Sequence, residues 1–102
     1  MTTRTTTVHR ARSDALRIRI EAGRELRIAR VTAGTSQREA GGRAGMSHSQ
    51  FGRIERGAIR QLTIDQLCRA SAAVGLRLIA RAVPDGDPAA ARSPARQRCD
   101  PD

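Results

Sequence analysis

Apolar residues recur along this chain at steps of three and four, the period of a helix face. Between residues 13 and 33 the stripe is Ala15, Ile18, Ala22, Leu26, Ala29 and Ala33. Ser13 is a good amino-terminal cap, Asp14 suits the positive end of the helix dipole, and Gly34 is a stop signal, so a helix is expected over 13–33. Leu16, Ile20, Ile28 and Val31 fall off this stripe and form a second apolar surface, a place for a partner subunit. "LRIRI" at 16–20 also alternates like a strand.

The next stretch, 37–56, reads QREAGGRAGMSHSQFGRIER. Ser36 with Glu39, and Ser47 with Gln50, each place a hydroxyl before a helix start and an acid or amide three residues on, the capping-box pattern. The pattern predicts helices over 37–44 and 48–56, joined by Gly45, Met46 and Ser47. Ala40 and Ala44 share a face of the first helix, and Phe51 and Ile54 share a face of the second. Gly41 is small where the two would cross, and Gly45 sits where the chain must turn with positive φ. Ile59 and Leu62 follow in a loop and should tuck into the core. Thr63 with Gln66 is a third capping box, opening a helix to about Val74 whose inner face is Ile64, Leu67, Ala70 and Val74, with Gly75 as its stop.

From Leu76 to Val83 the period changes. Arg77 and Arg81 alternate with apolar residues, and Pro84 ends the run. The segment reads as a short strand paired with its twofold copy in a dimer, or else as a fifth helix packed on the domain. Residues 1–12 are rich in Thr and Arg and are expected to be a disordered arm, with 13–83 the folded domain. Residues 84–102, carrying Pro88, Pro94 and Pro101, are expected to be a disordered tail.

Composition narrows the picture. With 102 residues, 38% hydrophobic and a single Phe as the only aromatic, the chain supports one small aliphatic core. The formal charge is +9 and all 19 basic residues are arginine, a balance that attracts polyanions. Cys68 and Cys99 have neither metal-ligand spacing nor a paired His, and no acidic cluster or nucleophile–base pair stands out. No metal, cofactor or enzymatic activity is expected. Neither a membrane span nor a secretory leader is evident, so a cytoplasmic protein is expected.

The capped pair 37–56, its glycine turn, its five apolar positions (Ala40, Ala44, Met46, Phe51, Ile54), the opening "TSQRE" at 35–39 and the closing "IERG" at 54–57 together resemble the helix-turn-helix of phage repressors, the Cro/C1 or Xre family. The resemblance covers roughly residues 23–78. Ala40 departs from the larger aliphatic residue usual there, and Gly42 is a poor helix former. The resemblance implies an all-α, four- to five-helix bundle, with the short carboxy-terminal strand as an addition.

The resemblance also implies roles. His48 and Ser49 would read bases from the first turn of the second motif helix and Arg53 one turn on, with Gly52 leaving room beside them. Gln37 would contact a phosphate and buttress the first reading side chain. Arg30 would pair with Glu55 and face a phosphate. Arg38, Arg56 and Arg60 flank the motif as phosphate clamps, each equally readable as a plain surface arginine. Gly45, Phe51, Ile54 and Glu55 would be structural. The implied partner is double-stranded DNA, bound by a homodimer through 76–83 on an inverted repeat, and the implied role is a regulator, in the first instance a repressor. Two alternatives stand beside it: an antitoxin that also grips a protein toxin, and the DNA-binding piece of a nuclease-type enzyme.

Overall fold

The computed structural model describes residues 3–86. Four helices follow one another: α1 (Thr3–Thr32), α2 (Gln37–Ala44), α3 (His48–Glu55) and α4 (Ile64–Ala73). Among the described residues there is no strand, and the class is all-α as the pattern predicts.

The helix starts follow the caps. Ser36 Oγ accepts from the Glu39 amide at 3.0 Å while Glu39 Oε1 accepts from the Ser36 amide at 3.0 Å, and Thr63 with Gln66 forms the same reciprocal pair. The third box is only half made: Ser47 Oγ accepts from the Gln50 amide, and α3 lacks the return bond from Gln50.

All four helices end by one device. At the close of α2, Gly45 has φ 73°, its amide bonds the carbonyl of Gly42, and the Met46 amide bonds that of Gly41. This is the Schellman arrangement, which needs a residue with positive φ and so favours glycine. The same pair of bonds closes α1 at Gly34, α3 at Gly57 and α4 at Gly75.

The core lies where α3 packs on α1 and α2 and where α2 packs on α4. Phe51, Leu26 and Ile54 are its largest fully buried side chains, with Ala40, Ala44, Leu67, Ala70 and Ala73 around them. Ile59, Leu62 and Met46 pack against this cluster. Ala40 is fully buried, so here a methyl fills the place of a larger side chain.

Several expectations are corrected. α1 begins at Thr3, so the described part of the expected arm is helical and Ser13 is interior rather than a cap. Nothing between Thr3 and Ser13 is Gly or Pro, and a Ser that could cap does not stop a helix that can continue through it. The stripe on α1 is buried only in part: Leu26 is sealed and Ala22 packs on the core, but Ala15, Ile18 and Ala33 are exposed because the body does not reach the ends of so long a helix. Ile64, expected inside, is exposed at the first turn of α4. Residues 76–83 form neither a fifth helix nor a strand. Leu76 and Leu78 pack on the core, and a ladder requires a partner strand that the described chain does not contain. Of the expected tail, residues 87–102 lie outside the described residues.

Candidate nucleic-acid interface

The candidate site is built on α3, whose two sides have opposite fates. Phe51, Gly52, Ile54 and Glu55 are buried, whereas His48, Ser49, Arg53 and Arg56 are exposed. The exposed four lie at successive steps of one, four and three residues, so they share one edge of the helix. At eight residues α3 is about 12 Å long, close to the width of a DNA major groove.

What aims this edge is a polar lock beneath it. Arg30 on α1 donates from Nε to Glu55 Oε2 at 2.5 Å and from Nη2 to Glu55 Oε1 at 3.1 Å. Its Nη1 donates to the Thr35 carbonyl at 3.0 Å, and Gln37 Nε2 donates to Glu55 Oε1 at 3.1 Å. Side-chain exposure is 11% for Arg30 and 2% for Glu55. A carboxylate this deep is costly unless paired and hydrogen-bonded, and the fork of Arg30 supplies both. The bond to Glu55 raises the Arg30 pKa further above its ordinary value, so its charge is permanent. One buried carboxylate thus ties the end of α1, the start of α2 and the end of α3.

The lock bears out the expected Arg30–Glu55 pair and redefines two neighbours. Arg30 is held inside by three bonds, so its role in the described structure is to position α3. Gly52 is buried, because Gln37 lies over it: a Cβ at 52 would stand 3.2 Å from Gln37 Nε2. The room expected at 52 for a DNA group is taken by the Gln37 amide.

Glycines also set the approach of the helices. A Cβ at Gly41 would stand 2.9 Å from the Met46 carbonyl, as expected for a small residue at the α2–α3 crossing. A Cβ at Gly23 would fall 2.5 Å from the carbonyls of Ile54 and Glu55. Sequence reasoning passed over Gly23. Its signal was a glycine in the middle of a helical pattern, which marks a close approach of backbone when no cap explains it.

Arg38, Arg53, Arg56 and Arg60 are all exposed, and none is paired with a carboxylate among the described residues. Arg53 and Arg56 therefore stand with His48 on the exposed edge of α3, and Arg38 on α2 and Arg60 in the loop after α3 are exposed beyond it. Glu39 is engaged in its own capping box, and Glu55 is neutralised by Arg30.

Two short capped helices at a glycine turn, the second locked from behind and polar along its outer edge, define a helix-turn-helix protein. Residues 21–82, more than half of the chain, match the family described as "Helix-turn-helix domain", and the chain belongs to that family. Its general class is therefore a DNA-binding regulator. No curated relative and no solved structure matches the chain. No helix among the described residues is long and apolar enough to cross a membrane.

Proposed function

We propose that this protein is a transcriptional regulator of the Cro/C1 (Xre) type. As a dimer it binds an inverted-repeat operator and represses by occupying it. It needs no cofactor and catalyses no reaction. One observation carries the reading. Phe51 and Ile54 are fully buried while His48, Ser49 and Arg53, the positions that read bases in the resembled family, project from one edge.

In this reading α3 enters the major groove. Arg53 grips guanine through O6 and N7, which discriminates by about 1–3 kcal/mol against a wrong base. His48 adds a donor or acceptor, and Ser49 a small adaptable one. Arg38, Arg56 and Arg60 hold phosphates and fix register without reading sequence. Gln37 keeps the start of α2 beside α3 through Glu55, so that a phosphate contact there and the reading edge move as one piece. A single domain of this size buries too little for tight selectivity, and two copies on a twofold axis read half-sites about one helical turn apart.

Selection of bound duplexes from a random pool tests the proposal. Enrichment of an inverted repeat with half-sites about 10 base pairs apart is the expected result. A pool that stays random after repeated rounds would sink it.

A further inference from the structure

Every described side chain from Thr6 to Ile18 on α1 is exposed, so about half of this 30-residue helix buries no side chain against the domain, although Arg10 reaches Asp85. It also carries much of the exposed large apolar surface: Val8, Leu16, Ile18, Ile20, Ile28 and Val31. Leu16, Ile20, Ile28 and Val31 fall at helical steps along one flank, about 23 Å from end to end. A helix of this kind is poorly supported alone. Its first turns hold Thr3, Thr5, Thr6 and Thr7, weak helix formers, and helices in proteins owe most of their stability to packing of an apolar face. The ion pairs of Arg17 with Asp14 and Glu21, and of Arg10 with Asp85, are exposed and contribute little.

What covers this flank can be narrowed. Residues 1–2 and 87–102 offer little to cover it, with Met1 their one large aliphatic residue and no aromatic one. Nucleic acid does not suit it either. Between residues 13 and 31, the stretch that holds this flank, Asp14, Glu21 and Glu25 stand against Arg17, Arg19, Arg24, Arg27 and Arg30, and Arg30 is paired with Glu55, which leaves a net of +1 in a chain of +9. An apolar flank of low net charge on a strongly basic molecule lets two copies meet with little charge repulsion. Its position agrees. Passing from Arg30 back to Ile20, the neighbours of α1 shift from Glu55, bonded to Gln37, to Gly57, beyond the carboxyl end of α3. The arm therefore leaves the body from the end of α3 opposite His48 and Ser49.

We propose that a second copy of this chain docks on α1 through Leu16, Ile20, Ile28 and Val31, so that the two α1 helices pair across a twofold axis. This rests on the dimeric reading above and names its interface. The patch is self-complementary, as a twofold contact requires. Pairing gives this exposed flank of α1 the apolar partner that its own domain withholds.

Sedimentation equilibrium of the full chain, without DNA, tests the interface independently of the operator. The wild type is expected to be dimeric at micromolar concentration and the Leu16→Glu, Ile28→Glu double variant monomeric. Amide exchange should lose protection over residues 8–20 in that variant while α2–α4 keep theirs. If the double variant fails to fold, Ile28→Gln serves, since residue 28 lies on the side of α1 opposite Leu26; it should weaken the dimer at least tenfold. On an inverted repeat the double variant should bind on the order of 100-fold more weakly, with binding to one half-site unchanged. A monomeric wild type would overturn the proposal, as would a dimer indifferent to both substitutions or one broken only by Ile79→Glu in 76–83. Failure of both proteins to select any DNA, with the dimer intact, would count against the regulator reading and leave this interface standing.

Discussion

At the scale of single residues, the molecule turns on Glu55. It is the acceptor for two side chains from two other helices, and it is 2% exposed in its side chain. Glu55→Ala would leave Arg30 charged, buried and without its partner. Removing one member of a buried pair costs about 3–5 kcal/mol, and urea unfolding should register that loss. The glycines separate by the same reasoning. Gly42 is helical with nothing within 4 Å of an added Cβ, so Gly42→Ala should stabilise by about 1 kcal/mol. Gly23→Ala, also mid-helix, should destabilise by about 1–3 kcal/mol, because its Cβ meets backbone carbonyls that cannot swing aside. Thermal melting of the two variants should move in opposite directions. Helix propensity alone would have them move together.

At the scale of elements, α2 depends on its cap more than on its composition. It has eight residues, two of them adjacent glycines, and its first turn is held by the Ser36–Glu39 box. Hydrogen bonding to Ser36 lowers the Glu39 pKa below the ordinary 4.5. A carboxylate with a lowered folded-state pKa adds stability that is present above the ordinary value and lost as pH falls through the lowered one. Glu39→Gln keeps an acceptor for the Ser36 amide without a titrating group. The stability difference between wild type and Glu39→Gln should therefore be constant from pH 7 to about 5 and shrink on further acidification. Thermal melts across that range would show it, and a difference independent of pH would contradict the assignment. The boundaries of α2 and α4, and the glycine ends of all four helices, were legible because each is written in three to six neighbouring residues. The amino end of α1 was not, since nothing there commands a stop.

At the scale of the whole molecule, the exposed arginines on and flanking the helix-turn-helix should make DNA binding fall steeply with salt, about one unit of slope for each phosphate contact. Arg60→Ala should weaken specific and random DNA alike and flatten that slope by about 1, while Arg53→Ala should relax preference at one base position. Titration of both variants at two salt concentrations separates the roles, and equal effects on all sequences would refute the division between reader and clamp.

Local order was settled by contacts between near neighbours along the chain: the three cap sites, the glycine terminators, the apolar positions Phe51 and Ile54, and through them the helix-turn-helix itself. These survive any tertiary arrangement because the bonds that make them close within a turn of helix. What only the folded molecule decided are the long-range coincidences. Gly23 lies against the end of α3, Gln37 covers Gly52, the Thr35 carbonyl takes a third bond from Arg30, and half of α1 buries no side chain against the body. Each depends on where two helices far apart in sequence come to rest, and residue spacing carries no record of that distance.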